Sequence, residues 1–316
     1  MRETAKPTSL LLPASLQKGD VIGLVSPAGP VQNEENFMSG VSLLKEMGFQ
    51  VKFPRTPLVS DVGYLAGQDW ERAEEFHELW ADSETKALLC VRGGYGSLRI
   101  IDSLDMKLIR QRPKILIGFS DISILLNTIF KETGLVTFHG PVLTTLAHCG
   151  QQSVQLFYET LTGRAPKRVK PARLEVLAGG RARGRLLGGN LTTLVHLIGT
   201  PYEMTWDDTI LFLEDTGEIP YRIDRMLTHL KLADRFDRLK GLILGTFTSD
   251  TAGNCPEYYT DPIWTRVLEL MEEKNIPIWA NFPVGHGPDN YILPMGIDVE
   301  MDSDKGTLHF LEPCTV

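Results

Sequence analysis

Three kinds of side chain that together support nucleophilic catalysis stand at segment ends along this chain: Ser120, the histidines His139 and His286 beside glycines, and the adjacent carboxylates Glu214 and Asp215. A serine hydroxyl becomes a nucleophile when a base within hydrogen-bond reach takes its proton and a third group orients that base. Ser120 follows the apolar run Ile115-Leu116-Ile117 and Gly118-Phe119, and precedes Ile122, Leu125, Leu126 and Ile129 at helical spacing. That pattern predicts a buried strand running into a helix with the serine at the turn, beside backbone N–H groups that can stabilise an oxyanion. Taken alone, G-x-S-D lacks the second glycine of a nucleophile elbow. On this segment by itself a helix-capping serine, with Asp121 as a first-turn charge, is the better reading.

Of the seven histidines, His77 and His229 fall in helix patterns and His309 in a terminal strand. His148 and His196 lie away from any predicted strand end. His139 and His286 remain as bases. Glycines flank His286 on both sides, freeing the backbone to present the ring, as an exposed loop histidine would also show. Glu214 ends the apolar run Ile210-Leu211-Phe212-Leu213, where a carboxylate is costly unless paired. Neighbours on a strand face opposite ways, so Glu214 and Asp215 cannot both enter one site, and spacing does not choose between them.

The elements that must position these groups alternate. Val21–Val25 reads as a buried strand ending in Ser26-Pro27-Ala28-Gly29-Pro30, and Phe37, Val41, Leu44 and Met47 mark a helix closed by Gly48. Ala73, Phe76, Leu79 and Trp80 form the apolar face of a second helix. A strand over Leu88–Val91 opens into Arg92-Gly93-Gly94-Tyr95-Gly96. The Ser120 unit follows, then a strand to Phe138 ending at His139-Gly140-Pro141. Strand and helix repeated in this way predict a parallel sheet wrapped by helices, with ligands beyond the carboxyl ends of its strands. Residues 164–184 are rich in arginine and lysine without interleaved aromatics and read as a solvated linker between residues 1–163 and 185–316. Beyond it, Leu242–Leu244 predicts a strand and Ile263–Met271 a helix. Ile297, Val299 and Met301 alternate with acids in a half-exposed strand, paired with Thr307–Leu311.

With 316 residues, two domains are the expectation. Net charge −8 argues against a broad nucleic-acid surface, and no apolar run reaches membrane-spanning length. A cytoplasmic protein with a small-molecule or peptide partner is expected. The four cysteines, Cys90, Cys149, Cys255 and Cys314, have neither zinc nor disulfide spacing.

Six motifs in order are specific as a set: Arg92-Gly-Gly-Tyr-Gly96, Gly118-Phe-Ser-Asp121, Phe138-His-Gly-Pro141, Gly188-Gly-Asn190, Leu213-Glu-Asp215 with Tyr221-Arg-Ile-Asp-Arg225, and Gly285-His286. From about Leu12 to Leu311 the chain resembles the LD-carboxypeptidase family of serine peptidases, which also contains the microcin C immunity peptidases. The resemblance implies a Ser120–Glu214–His286 triad and an oxyanion hole from the N–H groups of Gly94 and Asp121, with no cofactor or metal. It implies an α/β architecture: a flavodoxin-like or glutamine-amidotransferase-like N-terminal domain carrying the serine and a barrel-like β/α C-terminal domain carrying the other two. Homodimers are common in the family. The implied reaction releases terminal D-alanine from murein tetrapeptide during peptidoglycan recycling. A carboxypeptidase must also bind a terminal carboxylate, for which Asn190, Arg222 and Arg225 are candidates, with Tyr95 lining the pocket. One alternative is a microcin-immunity-type hydrolase of peptidyl-adenylate analogues, for which Tyr258, Tyr259 and Trp264 could supply an aromatic platform. A catalytically idle ligand-binding protein on the same fold is the other.

Overall fold

The computed structural model describes residues 10–55, 63–248 and 260–316. Two compact units divide the chain: one runs to Ala165 and takes in Tyr291–Gly296 and Cys314–Val316, and the other comprises Pro166–Asn290 and Ile297–Pro313.

The first unit is built on β1 (Val21–Val25), β2 (Gln50–Lys52), β3 (Thr85–Cys90), β4 (Ile115–Gly118) and β5 (Thr137–His139), all paired in parallel in the order β5-β4-β3-β1-β2. The central strands are buried at consecutive positions, so on both faces, which is the usual condition of a parallel sheet. The helix Asp69–Ala81 buries Ala73, Phe76, Leu79 and Trp80, with the Phe76 and Trp80 rings stacked at 5.2 Å. Burying a side chain such as Phe76 stabilises the fold by about 1.5–3 kcal/mol. After β4 the helix Ser123–Thr133 turns back along the sheet and ends at Gly134, whose φ of 77° places it in the left-handed region that closes helices. Gly118 permits this return: a β-carbon there would lie 2.6 Å from Ile122 Cγ2.

The second unit carries β6 (Arg168–Val169), β7 (Glu175–Ala178), β8 (Arg181–Asn190), β9 (Thr209–Thr216), β10 (Gly241–Thr248) and β11 (Ile278–Ala280). The chain then returns to the first unit for β12 (Leu293–Met295), which pairs antiparallel with β5, before β13 (Asp298–Asp302) and β14 (Thr307–Phe310) complete the second sheet. That sheet has the order β6-β14-β13-β8-β9-β10-β11-β7. Its centre, β8 to β11, is parallel, and antiparallel strands finish both edges.

The basic stretch 164–184 contains β6, β7 and the start of β8, and the arginines of β8 have partners far along the chain. β8 and β13 pair so that Arg181, Arg183 and Arg185 stand opposite Asp302, Glu300 and Asp298. Ion pairs follow at 3.3, 2.6 and 2.8 Å respectively. Opposite charges directly across a strand pair favour this register. The expected β13–β14 pair is present, with Val299 and Met301 buried. No helix among the described residues is long and apolar enough to cross a membrane.

Candidate active site

In the first unit Ser120 directly follows β4 and Phe119, and it is one of the few non-glycine residues at positive φ among the described residues, 64°. A left-handed backbone is costly for a residue with a β-carbon and persists where the surroundings hold it. Phe119 is fully extended, Ser120–Ile122 form a tight 3₁₀ turn, and the helix begins at Ser123. The chain therefore makes the sharp strand-to-helix reversal of an elbow without the second glycine. The room comes from the neighbouring loop: a β-carbon on Gly93 would lie 2.8 Å from Ser120 Cβ and 3.0 Å from its Oγ. Gly94, at φ 110°, follows at once. Asp121 is buried, and its carboxylate accepts the Ser97 N–H at 2.8 Å. Burial pushes its carboxyl pKa upward against that hydrogen bond and the nearby Arg72.

In the second unit Glu214 lies within β9, fully buried. Its Oε2 accepts a hydrogen bond from His286 Nδ1 at 2.7 Å. The histidine keeps 22% of its side chain exposed. Gly285 makes this approach possible: at φ 110°, a β-carbon there would come within 2.7 Å of both Glu214 Cβ and Oε2. Asn290 Oδ1 accepts the Gly285 N–H at 3.1 Å and holds the loop. With the proton on Nδ1 pinned to a carboxylate, Nε2 carries the basic lone pair.

Asp215, which points the other way along the strand, is engaged elsewhere. Its Oδ2 accepts both the N–H and the hydroxyl of Thr192 at 2.8 Å, and its Oδ1 accepts the Thr216 N–H at 2.7 Å. Burial, with Glu214 beside it, pushes its carboxyl pKa up to about 7. The alternation of β9 thus gives Glu214 to the histidine and Asp215 to the backbone.

Asn190 ends β8 opposite Glu214 in the parallel register, and its Oδ1 accepts the Thr193 N–H as cap of the short helix Leu191–Val195. Tyr95 is exposed, its ring 5.7 Å from that of Tyr64. Arg222 lies exposed on the helix Pro220–Leu232 and pairs with Glu218 at 3.3 Å, while the Arg225 guanidinium lies over Tyr221. His139 is fully buried at the end of β5 with its ring against Phe119. Trp264 does not offer an aromatic platform: it is buried edge-on against Phe247, at 5.8 Å between centroids. Tyr258 and Tyr259 lie outside the described residues.

Two side chains with structural parts in these loops went unread in the sequence, Asn290 and Arg72. Arg72 precedes Phe76 by four residues and so stands on the buried stripe of its helix, a signal available in the periodicity.

Residues 22–140 match the model of the LD-carboxypeptidase N-terminal domain and residues 183–301 that of the C-terminal domain. The chain belongs to the LD-carboxypeptidase family. It is 37% identical to the probable murein peptide carboxypeptidase of Bacillus subtilis, with 93% of this chain and 92% of that protein covered. The microcin C7 self-immunity protein MccF of Escherichia coli is 30% identical, with 96% of each chain covered. The solved structure of MccF in complex with aspartyl sulfamoyl adenosine is similar at a TM-score of 0.88 and 28% identity, covering 97% of this chain and all of that one (100%). A muramoyltetrapeptide carboxypeptidase from Oxalobacter formigenes is similar at 0.76 and 27%, covering 91% and 97%. The chain is a mixed α/β protein with two sheets, and membership of the family makes it a peptidase.

Proposed function

We propose that this LD-carboxypeptidase family member is a serine peptidase that cleaves the L,D bond of murein tetrapeptide and releases the terminal D-alanine. Ser120 Oγ attacks the carbonyl carbon before the D-residue while His286 Nε2 takes the hydroxyl proton. The carbonyl oxygen becomes an oxyanion held by the Gly94 and Asp121 N–H groups, each such donor being worth about 3–4 kcal/mol. Collapse of the intermediate breaks the C–N bond, and His286 gives its proton to the departing amine. Water, deprotonated by the same histidine, then hydrolyses the acyl-serine. Glu214 holds the imidazole in the Nδ1–H tautomer and stabilises the imidazolium. Asn190 and Arg222 are the candidate contacts for the terminal carboxylate, with Tyr95 beside Gly94. The reading needs Ser120 and the Glu214–His286 pair to act on one bond, and it places the work in the cytoplasm, on recycled cell-wall peptides.

The observation that carries this reading is the 2.7 Å bond from His286 Nδ1 to a carboxylate with no exposed surface. A fully buried carboxylate that orients a part-exposed imidazole is the supporting half of a hydrolytic triad. The murein-directed relatives favour the murein substrate, whereas the likeness to MccF bound to aspartyl sulfamoyl adenosine favours an aminoacyl-nucleotide analogue as the second reading. Purified murein tetrapeptide and aspartyl sulfamoyl adenosine, offered in parallel to the wild type and Ser120→Ala, separate them. Free D-alanine from the wild type alone supports the proposal. Release from neither substrate, or equal release by the variant, would sink it, and turnover of the nucleoside alone would transfer the case to the second reading.

A further inference from the structure

Arg72 is fully buried, which is costly for a cation unless its donors are used. Its Nε donates to the Gly67 carbonyl at 3.2 Å, its Nη1 to the carbonyls of Pro27 and of Gly96, the latter at 3.0 Å, and its Nη2 to the Asp69 carboxylate. These carbonyls belong to three separate loops, including the ones after β1 and β3. Gly96 is shaped around the guanidinium: at φ 137°, a β-carbon there would lie 2.7 Å from Arg72 Nη1.

The next amide in the chain is held from the other side. Ser97 N–H donates to Asp121 Oδ2 at 2.8 Å. The Gly96 carbonyl and the Ser97 N–H are the two ends of one peptide group, so Arg72 grips one end of that peptide and Asp121 the other. Asp121 is also the residue next to Ser120. A further bond, Gly29 N–H to the Gly93 carbonyl at 3.0 Å, ties the same loop to the one after β1.

We infer that Arg72 and the Asp121 carboxylate are positioning residues that clamp the Gly96–Ser97 peptide and thereby fix the Gly94 N–H relative to the Ser120 elbow. Asp121 then has two tasks: its backbone N–H is an oxyanion donor, and its side chain sets where the other donor stands. The catalytic consequence rests on the Ser120 and Gly94 roles proposed above. Two buried, oppositely charged groups meeting through one peptide leave that peptide little rotational freedom, whereas a glycine-rich loop without them would sample many conformations.

The test uses Asp121→Ala, Asp121→Asn and Arg72→Lys in the full chain, each checked by circular dichroism and thermal melting. For the folded variants, kcat of D-alanine release falls about 100-fold in Asp121→Ala and Arg72→Lys with KM within about threefold, the signature of a lost transition-state contact. Binding of a peptide boronic acid that adds to the serine weakens by a similar factor, and Asp121→Asn, which keeps an acceptor for Ser97, recovers about tenfold of the loss. Wild-type kcat in both folded variants, or a fall in kcat with boronate affinity unmoved, would overturn the clamp. Amide exchange at Ser97, read without substrate, tests the clamp independently: protection is lost in Asp121→Ala, and unchanged protection rules the clamp out. A wild type that neither turns over the peptide nor binds the boronate, yet shows this exchange difference, removes the serine-peptidase reading and leaves the clamp standing.

Discussion

Gly285 and Glu214 occupy one space between them: a β-carbon on the glycine would fall 2.7 Å from the carboxylate that His286 bonds. The residue preceding the histidine must therefore be glycine for two reasons, its φ of 110° and the glutamate behind it. Gly285→Ala is predicted to displace Glu214 from the imidazole. The strain costs about 1–3 kcal/mol of stability. A misplacement on the ångström scale lowers kcat by about 10²-fold. Steady-state kinetics beside a urea melt give both numbers, and an unchanged kcat would mean that the His286–Glu214 geometry does not matter to turnover.

Glu214→Gln keeps the shape and one carbonyl acceptor but removes the negative charge that stabilises the imidazolium and puts an N–H donor in place of one carboxylate oxygen. A loss of about 10⁴-fold in kcat with little change in KM is expected. Retention of more than about a tenth of wild-type kcat would contradict an orienting role for Glu214.

Asp215 makes stability depend on pH in an unusual direction for an acid. Burial, with Glu214 beside it, pushes its carboxyl up to about 7 from the ordinary aspartate value of 3.8. Between those values the native state binds the extra proton, so stability is greatest at the acid end and declines as pH rises through about 7. The free energy of unfolding from urea titrations between pH 4 and 8 is expected to fall across this window in the wild type and to fall less in Asp215→Asn. Parallel curves for the two proteins would refute the raised value. The reason for subtracting the variant is that histidines titrate in the same range.

The β8–β13 ladder is a surface feature. A double-mutant cycle on Arg183 and Glu300, paired at 2.6 Å, should return about 0.2–1 kcal/mol of coupling that diminishes in high salt. Coupling near zero at low salt would show that the register is set by apolar packing of Val299 and Met301 alone.

The same ladder marks where the sequence is silent. Arg181, Arg183 and Arg185 recur every second residue, a strand period. Their partners lie more than a hundred residues away, so an isolated basic run reads as solvated chain. β12 was equally hidden: Leu293-Pro294-Met295 is three residues with a proline, and it joins the first sheet only after the second unit has intervened. The strand-turn-helix unit around Ser120 was visible because a buried strand, a turn residue and an apolar-periodic helix are all local, though on its own it reads as a helix cap. Its positive φ was not, since the reason for it is the side-chain space vacated by Gly93 on another loop. The choice between Glu214 and Asp215 was half legible. Alternation says that one faces each way, but which face meets His286 is decided by the loop after β11. Trp264 shows the converse, an aromatic whose position suggested a ligand and whose burial against Phe247 belongs to the core.

A serine peptidase of this kind passes through an acyl-enzyme on Ser120. Rapid acid quenching of the enzyme with murein tetrapeptide, followed by proteolysis and peptide mass mapping, reads this directly. An acyl mass equal to the tetrapeptide less D-alanine, carried by the peptide containing Ser120 and absent from Ser120→Ala, is the predicted result. D-alanine release at full rate with no acyl-serine at any quench time, or with the mass on a different residue, would contradict it.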